Sequence, residues 1–332
     1  MRAVVFPAVG RFELTDVPEP VLGPGRLILE VGACGVCGTD LHILRGEFIA
    51  TYPCIPGHEF AGTVVTVAPD VAGFTQGDRV GVMPSVFCGS CHFCRTGRAN
   101  LCATAGGFGT SMPGAFAERV SVLATHAYHI PDHLTFAEAA LIEPLACVVH
   151  GFDRLRPRPG DSYLVYGAGT MGLMLAQYAR FAGARVVGII DVNPAKIERA
   201  RSFGFDVVGA GIDAVRDAAP LGFDNVIEAT GVTEVAETAF DSVIRGGRLL
   251  LFGVYSPGKA AFEAYRIFNR EIDIIGSMAV LDSYEPALNA MLAGAIDARR
   301  MVSHTYPMER FEEALETLRR GEGMKVQIVP GG

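Results

Sequence analysis

Cys37, His58 and Glu59 supply a thiol, an imidazole and a carboxylate, the three side-chain types that bind a borderline-soft cation such as zinc. Their stretch opens Cys37-Gly38-Thr39-Asp40-Leu41-His42 and closes Gly57-His58-Glu59-Phe60-Ala61-Gly62. Three protein ligands leave one position of a tetrahedral shell open, the arrangement of a catalytic rather than a structural zinc. Glu59, next to His58, serves either as ligand or as a partner one shell out. Asp40 is placed to orient the ligand histidine through a hydrogen bond. The Thr39 hydroxyl and the His42 imidazole sit beside the first ligand, where a proton must travel if a metal activates an alcohol. Cys34 and Cys54 have no ligand-rich neighbourhood and are expected in the core.

A second constellation has the opposite character. Cys88, Cys91 and Cys94 follow one another at the spacing Cys88-Gly89-Ser90-Cys91-His92-Phe93-Cys94, and Cys102 comes shortly after. Four thiolates this close wrap one metal in a closed shell, so this zinc is structural and holds a lobe together. His92 is expected at the surface. Two zinc ions per chain follow, one catalytic and one structural.

The third chemical signature is Gly167-Ala168-Gly169-Thr170-Met171-Gly172, set between an apolar run ending at Tyr166 and the helically spaced Leu173–Ala182. Gly167 makes the tight turn, Gly169 admits a pyrophosphate to the backbone, and Gly172 lets helix pack on strand. Thr170 and Met171 open the helix whose unpaired N–H groups and dipole favour the anion. The following strand ends at Asp191, about twenty residues on. A carboxylate there accepts from adenosine ribose hydroxyls and repels a 2′-phosphate, which selects NAD over NADP. Runs ending at Thr230-Gly231, Gly253 and Ser277 place Thr230, Gly253 and Ser277 at the carboxyl edge of the same sheet, lining the nicotinamide.

The elements that must position these groups fall into two sets. From Val4 to about Val82, short β-rich runs separated by Pro24-Gly25 and Gly77-Asp78 predict a mostly antiparallel β domain whose loops carry the ligands. Residues 152–277 read as βα units, hence a doubly wound parallel sheet. Helical patterns over Pro286–Leu292 and Arg310–Arg319 and an apolar strand at Met324–Val329 return to complete the first domain. The expected domains are therefore 1–151 with 278–332, and 152–277. The composition agrees with folded domains: the 332 residues are half hydrophobic, and disorder is expected only at Gly331-Gly332. A formal charge of −8 disfavours nucleic acid, no run of about 18 apolar residues suggests a membrane span, and the opening residues read as a strand rather than a signal peptide. Eight cysteines with no export signal suggest metal ligands and reduced thiols in the cytoplasm.

Taken together, CGVCGTDLH at 34–42, GHEFAG at 57–62, CGSCHFCRTGRANLC at 88–102, GAGTMG at 167–172 and the Asp191 strand end resemble the zinc-containing medium-chain dehydrogenase/reductase family over essentially the whole chain. The resemblance implies a GroES-like β-barrel catalytic domain, a Rossmann domain, a cleft between them, and homodimers or homotetramers. Within the family the chain looks most like the polyol branch (sorbitol, xylitol, arabinitol and galactitol dehydrogenases), with threonine dehydrogenase close by. Glu143-Pro144-Leu145-Ala146 matches that branch's segment, and implies Glu143 as fourth zinc ligand or partner of its water, ahead of neighbouring Cys147. The chain departs from sorbitol dehydrogenases where an Arg-Tyr pair contacts substrate: Val280-Leu281 stand there instead.

The expected activity is reversible oxidation of a secondary alcohol, foremost a sugar alcohol, to a ketone with hydride passing to NAD. The proton leaves through Thr39, the cofactor ribose and His42. The alternatives are an L-threonine or other diol dehydrogenase, and, remotely, a catalytically silent NAD-binding relative. Phe48, Ile49, Phe108 and Phe116 are candidate pocket walls, each equally accountable as ordinary packing. The expected partners are a small-molecule alcohol and further copies of the chain, with neither nucleic acid nor membrane.

Overall fold

Strand Arg26–Val36 is the spine of the first unit. Its first half alternates buried and accessible residues and its last residues are buried on both faces, as expected of a strand that runs from a sheet surface into a core. The computed structural model, which describes residues 1–256 and 258–331, pairs it antiparallel with Glu59–Val67, Arg119–Leu123 and Lys325–Ile328. Gly332 of the expected tail lies outside the described residues. The sheet continues through Arg79–Val82 to Ala127–His129 on one side and ends at Val302–Tyr306 on the other. Phe6, Phe60, Phe108 and Phe116 are fully buried beneath it, with Phe116 edge-on to Phe311 at 5.1 Å between centroids.

Residues Met1–Ala146, Val280–Leu288 and Asp297–Gly332 form this unit; Cys147–Ala279 and Asn289–Ile296 form the second. The second is built on six parallel strands in the order Val208–Gly209, Val186–Ile190, Ser162–Tyr166, Phe223–Glu228, Val243–Leu251, Asp273–Gly276. In chain order that is 3-2-1-4-5-6, the doubly wound arrangement whose strand order reverses between the first and fourth strands. Every residue of Ser162–Tyr166 is buried, as a central parallel strand requires. Helix Thr170–Phe181 follows that strand and buries Leu173, Met174, Leu175, Ala176 and Ala179.

One sequence reading is corrected, and one strand is added. Val302–Tyr306 is a strand that no pattern announced: Val-Ser-His-Thr-Tyr is half polar, which suits an edge strand paired, among the described residues, only with Lys325–Ile328. Lys325–Ile328 itself is wholly buried and is not simply apolar, since it carries Lys325 and Gln327 into the interior. Gln327 donates its side-chain N–H to the Ala137 carbonyl at 2.8 Å.

Candidate metal centre and dinucleotide cradle

Cys37 follows the long strand directly and is the N-cap residue of helix Gly38–Arg45, held extended at φ −120° and ψ 160°. The Asp40 carboxylate turns back to accept from the Cys37 N–H at 2.8 Å, which fixes the first turn and the direction of the thiol. Its second oxygen faces His58 Nδ1 at 3.6 Å. Asp40 is fully buried, so its carboxylate is placed beside both residues and away from water. His58 and Glu59 enter on the strand whose register sets Glu59 opposite Gly35. The result is that the ligand atoms of Cys37, His58 and Glu59 lie within 4.8 Å of one another, a donor set and spacing that suit zinc. Burial alone would lower the His58 pKa, but the charge of Asp40, aided by Cys37, outweighs it and holds the imidazole well above its ordinary range. The same negative field favours a divalent cation.

Lys325 is the functional residue that sequence reasoning missed. Its Nζ pairs with Glu59 Oε2, the two side chains being 5 % and 2 % exposed. Desolvation would lower the ammonium pKa, yet Glu59, Cys37 and Glu143 together raise it, so the lysine is charged. A Cβ at Gly35 would come within 2.1 Å of Glu59 Oε2 and 2.6 Å of Lys325 Cε, so the pair occupies the space a side chain would need. The only signal in the sequence is a lysine inside an otherwise strand-like run.

Thr39 Oγ1 lies 3.7 Å from Cys37 Sγ, beside the thiol as expected. His42, one turn along the helix, is partly exposed and its Nδ1 is 2.8 Å from Glu47 Oε2. Glu143 is buried in the first turn of helix Ile142–Leu155 and acts on Lys325 through charge, but stands outside the 4.8 Å ligand group; Cys147 belongs to the second unit. Cys34 and Cys54 are core, as expected. Among the candidate pocket walls, Phe108 and Phe116 are core and Phe48 packs against it, whereas Ile49 is 78 % exposed. Val280 is buried and Leu281 partly so.

The four cysteines of the second constellation converge on one point. Sγ–Sγ distances are 3.5 Å for Cys88–Cys102, 3.6 Å for Cys91–Cys94, 3.9 Å for Cys88–Cys94 and 4.0 Å for Cys91–Cys102. A tetrahedron with Zn–S bonds of about 2.3 Å has edges of about 3.8 Å. The match identifies a closed thiolate cage, with no vertex left for substrate. Donors from Ser90 pull the Cys88 thiol down to about 5, while desolvation pushes that of Cys94 up to about 12. His92 is exposed and turned to Arg98, as expected of a non-ligand.

In the second unit Gly167 adopts φ +102°, the turn that only glycine makes easily, and a Cβ at Gly172 would strike the Gly167 carbonyl oxygen at 1.8 Å. Above Gly169, the N-cap of helix Thr170–Phe181, nothing lies within 4 Å of a Cβ position and no side chain caps the helix. This open cradle of backbone N–H groups suits a pyrophosphate. Asp191 closes the next strand, largely buried, accepting from the Ala168 and Asn193 N–H groups at 2.8 Å each. Thr230 sits just past the fourth strand with Gly253 past the fifth, while Ser277 donates its N–H to the Leu251 carbonyl at 3.3 Å.

An antiparallel β unit with a Cys-His-Glu group and a Cys₄ cage, together with a 3-2-1-4-5-6 sheet, defines a metal- and dinucleotide-dependent oxidoreductase. Comparison with known proteins agrees. Residues 23–132 match the alcohol dehydrogenase GroES-like domain and 170–293 the zinc-binding dehydrogenase domain. D-arabinitol dehydrogenase 1 of Uromyces fabae is 36 % identical over 99 % of the chain and 97 % of its own length. D-altritol 5-dehydrogenase of Agrobacterium fabrum is 36 % identical over 93 % of each. A zinc-binding dehydrogenase of Sinorhizobium meliloti 1021, whose crystal structure holds NADP, superposes with a TM-score of 0.95 at 34 % identity, covering 99 % of both chains. The chain belongs to the zinc-binding medium-chain dehydrogenase family. It is an oxidoreductase that oxidises an alcohol carbon with a nicotinamide dinucleotide as hydride acceptor.

Proposed function

We propose that the protein is an NAD-dependent dehydrogenase of a sugar alcohol, oxidising a secondary hydroxyl to a ketone. The observation that carries this reading is the grouping of Cys37, His58 and Glu59 within 4.8 Å, with Thr39 against the thiol. Zinc, when bound, supplies a Lewis acid that eases deprotonation of the alcohol, and NAD supplies the hydride acceptor. The chain's own residues do the rest. Cys37, His58 and Glu59 hold the metal, with Glu143 as a further ligand or as partner of its water. Asp40 fixes the imidazole and Lys325 balances the charge of Glu59. Thr39 Oγ1 accepts the substrate proton as its own hydroxyl proton moves on, and His42 delivers a proton to solvent.

For the dinucleotide, Gly167, Gly169, Thr170, Met171 and Gly172 cradle the pyrophosphate, and Thr230, Gly253 and Ser277 line the nicotinamide. Asp191 favours NAD, since a carboxylate there meets ribose hydroxyls and repels a 2′-phosphate. Cys88, Cys91, Cys94 and Cys102 hold the structural zinc. The division of labour we infer gives catalysis to 1–151 and 278–332 and dinucleotide binding to 152–277. Glu143-Pro144-Leu145-Ala146 and the names of the arabinitol and altritol relatives support a polyol. Eight cysteines, four of them gathered in one metal-type cage, support a reducing cytoplasm, and family resemblance supports a homodimer or homotetramer, which light scattering would resolve.

The test is NAD reduction measured over pentitols, hexitols, tetritols, 2,3-butanediol and L-threonine, with metal analysis alongside. One zinc in each of the two clusters is expected, and Cys37→Ala should lose one of them together with all activity. Full activity in Cys37→Ala, or turnover confined to L-threonine, would overturn the reading.

A further inference from the structure

Glu228 ends the fourth strand of the parallel sheet, opposite Tyr166 of the first, at the point where the strand order reverses. It is fully buried, and both oxygens of its carboxylate are occupied. Oε1 accepts from the Thr230 N–H at 2.6 Å and from the Thr230 hydroxyl. Oε2 accepts from the Gly231 N–H at 3.1 Å and from the Tyr255 hydroxyl. Its main-chain carbonyl accepts from the Phe252 and Gly253 N–H groups at 2.9 and 3.0 Å. One residue thus ties the loop after the fourth strand to the loop after the fifth, through six donors.

The two loops meet backbone to backbone. A Cβ at Gly253 would lie 2.1 Å from the Gly231 nitrogen, and one at Gly231 would lie 2.3 Å from the Val254 carbonyl oxygen. Desolvation and then Glu228 raise the Tyr255 phenol far above its ordinary range, so Tyr255 is a standing donor. A carboxylate buried at the ligand-binding edge of an open α/β sheet, spending all its acceptor capacity on two loops, is there to fix their shape. With the pyrophosphate cradle after the first strand and Asp191 after the second, the adenosine half of a dinucleotide lies to that side of the reversal. The loops held by Glu228 lie on the other, where the nicotinamide half must go.

We propose that Glu228 is a positioning residue for the nicotinamide half of the cofactor: it presets the wall formed by Thr230, Gly231 and Gly253 before the dinucleotide arrives. This rests on the dinucleotide reading above. Glu228→Gln keeps the shape but offers an NH₂ group to one pair of donors that now meet oxygen, so one loop must shift.

Titration calorimetry of the zinc-loaded enzyme with NADH and, separately, with ADP-ribose tests the idea. In Glu228→Gln the NADH dissociation constant should rise about tenfold or more, with ADP-ribose binding within about twofold of wild type. Tyr255→Phe, which deletes one donor without touching the carboxylate, should weaken NADH in the same selective way but less. Parallel losses for both ligands would assign Glu228 to the fold in general and overturn the proposal. So would unchanged NADH affinity in either variant that folds. Wild-type protein that binds neither ligand would instead sink the dinucleotide reading itself.

Discussion

Lys325 and Glu59 form an ion pair with almost no access to water, and pairs of this kind are asymmetric in their energetics. Removing one partner strands the other charge in low dielectric, which typically destabilises by about 3–5 kcal/mol. Lys325→Met is therefore expected to lose that much in urea unfolding of the zinc-free protein, where no cation compensates Glu59, and Lys325→Arg appreciably less. Equal losses would mean that packing rather than charge holds the site. Asp191 supports a second prediction. Asp191→Ala removes the acceptor of the Ala168 and Asn193 N–H groups as well as the charge, so kcat/KM with NAD should fall while the ratio of NADP to NAD turnover rises. Cys37, His58, Glu59, the four clustered cysteines and Asp191 were legible because each sits in a short motif whose spacing has a chemical reason. Lys325 and Glu228 were not: their partners and roles depend on which strands lie side by side, and a lysine or glutamate within a β run carries no mark of that.

At the scale of elements, the parallel sheet of the second unit is knitted at the start of its first strand by Asp224. Its carboxylate accepts from the Ser162 N–H at 2.8 Å and hydroxyl at 2.6 Å, with Arg185 at 3.6 Å. Desolvation would raise its pKa, but the Ser162 hydrogen bonds and Arg185 prevail and lower it. A carboxylate depressed on folding contributes stability that is fully present above its unfolded value of about 4 and is lost as pH falls through the folded one. Hydrogen exchange of the Ser162–Tyr166 amides should be faster in Asp224→Asn than in wild type at neutral pH, and the difference should close progressively below about pH 4. A difference that ignored pH would exclude the linkage. Five strands of this sheet were readable in advance since each is an apolar run before a turn, whereas the two-residue Val208–Gly209 is too short to show one. The strand Val302–Tyr306 was not, because an edge strand needs no continuous apolar face.

On the scale of the molecule, the first unit is completed by a segment that follows the whole second unit in the chain. Strand Lys325–Ile328 pairs with Cys34–Val36 and brings Lys325 to Glu59, so sheet and metal centre depend on the same four residues. A chain shortened to end before Lys325 should lose cooperative unfolding of the β unit and fail to retain the zinc of the Cys37 cluster, measured by circular dichroism and metal analysis. The cysteine cage draws all four ligands from residues 88–102 and should keep its zinc. Retention of both would show that the strand is dispensable. The two-unit organisation was visible in the change from short β runs to βα units. What the sequence left out was the order of strands in the first sheet, which is set by pairings between distant residues.

That late strand also imposes a timetable on the newly made polypeptide. Lys325 leaves the ribosome only after residues 147–296, so the parallel-sheet unit has its entire sequence available while Cys34–Val36 of the spine strand still lacks the partner Lys325–Ile328. Translation delivers the cysteine cage first, the nucleotide-binding unit next and the ammonium partner of Glu59 last. A metal held by Cys37, His58 and Glu59 would gain Lys325 beside Glu59 only after synthesis has passed that residue, whereas residues 88–102 would all be available to a metal long before.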